Sequence, residues 1–108
     1  MGVSLFVGSG PDWEFRLSNA YWYNEFLNYC AERGDCENLL YFTLGESVAL
    51  SEHKGDRQDE VFSLDELTRE AIRIMEDGEA PDYATHIAEV FLRAINACKE
   101  EGLELYIN

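Results

Sequence analysis

Val3, Leu5 and Val7 alternate with Ser4 and Phe6, the period-two pattern of a half-buried strand. Gly8-Ser9-Gly10-Pro11-Asp12 follows and has turn composition. Trp13, Phe15 and Leu17 then alternate with Glu14 and Arg16, so residues 3–17 are predicted to form a β-hairpin. The period changes after Leu17. Ser18 or Asn19 offers a side-chain oxygen to the first turn of a helix. At 100° per residue, Ala20, Trp22, Tyr23, Phe26, Leu27, Cys30 and Ala31 share its inner face. Asn24, Glu25, Asn28 and Glu32 take the other face, with Tyr21 among them and expected in solvent. Gly34 is the expected left-handed stop.

Residues 35–62 carry a weaker pattern. Asp35 is placed to cap a short helical turn through Leu39, Leu40 and Phe42, closed by Gly45. Val48 and Leu50 alternate with polar neighbours, and Gln58 to Phe62 is placed to return beside them across a solvated loop, SEHKGDRQDE; an irregular loop fits the same residues. Ser63-Leu64-Asp65-Glu66 is a capping box. Its helix buries Leu64, Leu67, Ala71, Ile74 and Met75, and turns Asp65, Glu66, Arg69, Glu70, Arg73 and Glu76 outward. Asp65–Arg69 and Glu70–Arg73 are spaced as ion pairs on that face. Gly78 stops it, and Pro81-Asp82 starts a third helix that runs to Gly102. A wide apolar arc from Tyr83 and Ala84 to Ala97 and Cys98 marks this helix as the central one. Leu103, Leu105 and Ile107 alternate in a closing strand. The pattern gives one α+β domain over residues 1–108: an N-terminal hairpin, three helices and a C-terminal strand completing a small, mainly antiparallel sheet.

The order Phe15-Arg16-Leu17-Ser18-Asn19-Ala20-Tyr21-Trp22, then Phe26-Leu27, resembles that of a loosely defined group of small bacterial proteins. Gln58, Val61 and Ser63 before an acidic helix continue the likeness, as do Phe91, Cys98, Gly102 and Leu103-Glu104-Leu105. The chain departs from it at Tyr21, where the group has Gly before the Trp. The resemblance implies the same α+β fold and brings no function with it.

Charge changes the picture more than composition does. The chain has 22 acidic and 8 basic residues, a net charge of −14. That sign opposes phosphate backbones and anionic lipid surfaces, so neither nucleic acid nor membrane is an expected partner. Residues 46–82 hold twelve acids against four bases, more than half of the excess. Glu52, Asp56, Asp59, Glu60, Asp65, Glu66 and Glu70 are the candidate docking surface for a basic protein, with Tyr21 or Tyr106 as aromatic anchor.

Candidate chemistry is sparse. Cys30, Cys36 and Cys98 are odd in number, and no Gly-x-Ser-x-Gly elbow is present. Cys30 and Cys98 fall on apolar faces, whereas Cys36 is expected near solvent beside Asp35 and Glu37. Cys30 and Cys36 lack zinc-knuckle spacing, His53 and His86 are distant in sequence, and Asp77 to Asp82 lacks a calcium ladder. No catalytic residue, cofactor or metal is expected. The N-terminus has no signal-peptide pattern, and Phe6 stands where myristoylation needs Ser or Thr, so a cytoplasmic location is expected. The expected function is a small acidic protein-binding module, in its sharpest form an immunity or inhibitor protein against a basic toxin or nuclease. Two alternatives stand beside it: a ligand binder or minor enzyme with a pocket at the aromatic first helix, and a homo-oligomeric structural protein, a homodimer in the simplest case.

Overall fold

Val3, Leu5 and Val7 all lie in the core, as their alternation requires. The computed structural model describes residues 2–8, 13–42, 47–48, 53–54, 61–62 and 64–107, with 41, 47–48, 53–54 and 61–62 described by backbone alone. The elements run β1 (Gly2–Val7), β2 (Glu14–Asn19), α1 (Ala20–Arg33), α2 (Glu37–Tyr41), β3 (Ser47–Val48), β4 (His53–Lys54), β5 (Val61–Phe62), α3 (Leu64–Glu76), α4 (Asp82–Glu101) and β6 (Leu105–Ile107). Strands β2-β1-β6-β3 form one antiparallel sheet, and β4-β5 form a separate ladder. The fold is α+β, with the N-terminal hairpin and the C-terminal strand side by side. The short helix α2 occupies the helical turn expected after Asp35.

The hairpin is not a plain ladder. Val3 faces Ser18 while Ser4 faces Arg16, so Leu17 has no partner across the strands. This bulge bends the end of β2 where it meets α1. Asn19 caps the helix there, its Oδ1 accepting from the Trp22 N–H at 2.9 Å. Gly34 ends α1 with φ 80°, and Gly102 ends α4 with φ 68°. Both positions are left-handed, which glycine adopts without a Cβ clash.

Helix α4 touches β1, β2, β6, α1 and α3. Its buried side chains are Ala84, Ile87, Ala88, Val90, Phe91, Ala94, Ile95 and Cys98. Phe91 lies 6.3 Å from Phe26, stacked, and 6.2 Å from Phe42, edge-on. Such pairs add about 0.5–1.5 kcal/mol to the burial of the rings themselves.

Several expectations are corrected. Helix α1 buries only Tyr23, Phe26 and Cys30, a narrow stripe, so Ala20, Trp22 and Ala31 are exposed. Met75 is exposed, and Trp13 at the hairpin's loop end is too. Cys36 is fully buried as the N-cap of α2, displacing Asp35 from that role. The second hairpin pairs otherwise than expected. Val48 joins the free edge of β6, and Val61–Phe62 pair with His53–Lys54 from the stretch read as a loop. Gly45, Leu50, Gln58 and the Ser63 of the capping box lie outside the described residues.

The largest correction is Glu70. It sits at the border of the buried arc of α3, three residues after Leu67 and four before Ile74, and is only 3% exposed. Cys36 makes no side-chain cap for α2. Glu70 supplies it from another element: Oε1 accepts from the Leu39 N–H at 2.8 Å, and Oε2 accepts from the Asn38 N–H at 3.2 Å and its Nδ2 at 2.7 Å. The expected surface pairs rearrange accordingly. Arg69 meets Glu66, Asp65 meets Lys99 at 2.9 Å, and Arg73 donates to the Asp35 carbonyl at 2.8 Å.

A second polar network ties the end of α1 to the α3–α4 turn. Arg33 bonds Asp35 at 2.8 Å and Asp77 at 2.6 Å, and the Tyr29 hydroxyl donates to Asp77 at 2.7 Å. The guanidinium of Arg33 holds Asp35 below the ordinary aspartate value of 3.8. The Tyr29 hydroxyl, with the Glu79 N–H and Arg33 behind it, does the same for Asp77.

Two predictions follow from these contacts. Glu70→Ala leaves backbone donors of α2 without a partner inside the protein and is expected to cost about 2–4 kcal/mol in urea unfolding. A loss no larger than that of an exposed α3 acid such as Glu76→Ala would show that Glu70 is not the cap. Asp35 and Asp77 have depressed native pKa values, so their contribution is complete above about 3.8 and lost as pH falls further. The stability gap between wild type and Asp77→Asn, measured by urea midpoint, is therefore expected to be full at pH 6 and to close below pH 4.

Candidate functional site

The bulge in β2 and the cap of α1 together leave a groove beside the start of α4. Leu17 and Ser18 are successive residues, yet both line it, which an unbroken strand alternation would not permit. Trp22 enters from the first turn of α1, and Asp82, Tyr83, His86 and Ile87 from the first turns of α4. Leu17 and Ile87 are buried and form the floor. Trp22 and Tyr83 form the walls, their ring centroids 5.2 Å apart and their planes tilted by 39°. Tyr21 extends the aromatic surface outward, edge-on to Trp22 at 5.1 Å. Tyr21 is 63% exposed and Trp22 44%. The groove holds about 300 Å³ and opens to solvent. That is the lower limit of ligand sites, sized for a side chain or a small molecule.

Several carboxylates stand around the groove. Asp82 stands on the rim in the first turn of α4, where the helix dipole favours an anion. Glu25 and Glu32 lie near enough to help raise the Tyr83 pKa, after burial of its hydroxyl as the larger cause. Of the described basic side chains, Arg33, Arg69, Arg73, Arg93 and Lys99 are each engaged elsewhere, Arg16 is exposed on β2 one residue before Leu17, and His86 lines the groove itself. The indole N–H of Trp22 and the hydroxyl of Tyr83 carry no hydrogen bond among the described residues.

Of the residues expected to form a docking surface, the described ones fall in separate places. Tyr21 belongs to the groove's edge. Asp65 and Glu66 lie at the start of α3, where Asp65 meets Lys99 near the far end of α4. Sixteen residues separate Tyr83 from Lys99, about 24 Å of helix. Glu70 is inside the protein and leaves the set. Glu52, Asp56, Asp59 and Glu60 lie outside the described residues, as does His53 in all but its backbone. Tyr106 is half-buried on β6, its hydroxyl donating to Glu104. Tyr23 and Phe26 are core residues; the Tyr23 hydroxyl donates to the Phe42 carbonyl at 3.0 Å.

Sequence reasoning missed Trp22, Asp82, Tyr83 and His86 as one site. The available signal was position: Trp22 and Tyr83 both stand in first helical turns, where no preceding turn covers them. The thiols offer little chemistry. A hydrogen bond with Cys36 and burial push the Cys30 thiol far up, and burial pushes Cys98 to about 11, so both stay protonated at neutral pH. Among the described residues no group of His, Cys, Asp or Glu is arranged to hold a metal ion. None of the described helices is long and apolar enough to cross a membrane.

Trp13→Phe leaves Trp22 as the lone tryptophan and makes the groove measurable. Red-shifted emission and strong acrylamide quenching are expected from the folded variant. Blue, protected emission would show that Trp22 is enclosed and that the open groove does not exist in solution.

No protein-family model, curated protein or solved structure matches this chain, so its own residues are the ground for a functional reading.

Proposed function

We propose that this protein is a small acidic protein-binding module that docks a basic partner through the groove between α1 and α4. The observation that carries the reading is the aromatic cluster: Tyr21, Trp22 and Tyr83 touch one another in a line and are left partly in solvent. Exposed Trp and Tyr rings of this kind are typical binding hot spots. The net charge of −14 supplies the sign of the partner and steers its approach. In its sharpest form the module is a cytoplasmic immunity or inhibitor protein of bacterial type. It covers a basic toxin or nuclease, working by steering and occlusion with no chemistry of its own.

The groove also favours a second reading, a small-molecule site. Its volume suits such a ligand, and Trp22 and Tyr83 offer an N–H and a hydroxyl that are unused among the described residues. The acidic surroundings give the protein partner precedence.

Affinity capture from native extract, followed by reconstitution with the purified captured protein, tests the leading reading. A partner of net positive charge is expected, with affinity falling steeply between 50 and 200 mM salt. Trp22→Ala is expected to weaken it by about tenfold or more. Binding that ignores both salt and Trp22→Ala, or a reconstituted partner of net negative charge, would sink the reading.

A further inference from the structure

The groove's walls and rim specify what part of a basic partner it takes. Resting on the reading above, we propose that the groove seats an arginine side chain, its guanidinium stacked on Trp22 and Tyr83 and its charge directed at Asp82. The protein already holds one guanidinium between an aromatic residue and carboxylates. The Arg33 guanidinium carbon lies 5.8 Å from the centre of the Tyr29 ring, with the Tyr29 hydroxyl accepting an N–H at 3.1 Å and Asp35 and Asp77 accepting others. The groove presents the same two kinds of group, aromatic faces and a carboxylate, with none of the chain's described cations pairing with Asp82.

Arginine fits better than lysine for three physical reasons. Its flat guanidinium can lie along the solvent-exposed part of the Trp22–Tyr83 pair, whereas an ammonium meets it as a point. It is more weakly hydrated, so it enters a partly apolar slot at lower cost. Its several N–H donors can reach the Asp82 carboxylate and the Tyr83 hydroxyl together. The alkyl stem of the same side chain covers the floor formed by Leu17 and Ile87. Glu25 and Glu32 add a longer-range attraction behind Tyr83.

The probes are three blocked tripeptides, acetyl-Gly-X-Gly-amide with X as arginine, lysine or citrulline. Citrulline keeps the planar shape and removes the charge. Each is titrated into the Trp13→Phe protein and followed by Trp22 emission and by NMR of the Trp22 indole N–H. Saturable shifts with arginine in the millimolar range are expected, roughly threefold weaker with lysine and about tenfold weaker with citrulline. For a readout independent of tryptophan, Asp82→Asn is expected to weaken arginine binding several-fold in backbone amide shifts of α4. Trp22→Leu is expected to abolish those shifts while leaving the far-ultraviolet spectrum unchanged. Citrulline binding as well as arginine, or arginine shifts that survive Trp22→Leu, would overturn the proposal. A basic protein partner that binds while the arginine peptide does not would overturn the arginine seat and leave the partner reading intact. Peptide binding without any basic protein partner would support the seat and remove the larger reading.

Discussion

One helix has to be shared by the sheet and the two other long helices. Helix α4 lies against three strands of the sheet, α1 and α3 at once, and it can do so because Ala84, Ala88 and Ala94 on its buried face keep the neighbouring backbones close. Phe91 then fills the space between Phe26 of α1 and Phe42 beyond α2. Packing on that axis fixes where its ends emerge. The C-terminal end meets α3 through Lys99 and Asp65, and the N-terminal end, with α1 only beginning beside it, stays uncovered. The groove is a consequence of that geometry: a long helix packed on a short sheet runs out of neighbours at one end.

Charge is sorted by the same packing. An acidic chain folds against its own repulsion, and the described contacts place several carboxylates where each has a fixed partner. Glu70 closes the start of α2, where three hydrogen bonds satisfy a buried carboxylate and two backbone N–H groups together. Asp35 and Asp77 share Arg33 and lock the end of α1 to the α3–α4 turn. The carboxylates of Asp82, Glu25 and Glu32 receive no such partner among the described residues, and all three belong to the neighbourhood of the exposed aromatic rings.

Helical phase was the most legible feature of the chain. It placed Ile87, Phe91, Ile95 and Cys98 inside α4 and put Tyr21 in solvent. The caps at Asn19, Gly34 and Gly102 were equally local and equally readable. Trp22 and Met75 escaped this reading because periodicity says which face a residue occupies but not how much of that face a neighbour covers. Glu70 escaped it because a carboxylate at the border of an apolar arc turns inward only when another element presents unpaired N–H groups. Cys36 is buried for the related reason that another element meets it, its thiol lying 3.9 Å from the Glu70 carbonyl of α3.

The sequence by itself determined the α+β class, the hairpin, the positions of the three long helices, and the strong negative charge of the chain. These follow from interactions within a few residues or from a simple sum of charges. Only the tertiary structure decided that β6 lies between β1 and β3, that Glu70 serves α2, and that Leu17, Ser18, Trp22, Asp82, Tyr83 and His86 surround one groove. These join residues tens of positions apart. No local pattern specifies such contacts, because they depend on the lengths, tilts and uncovered ends of elements packed around α4.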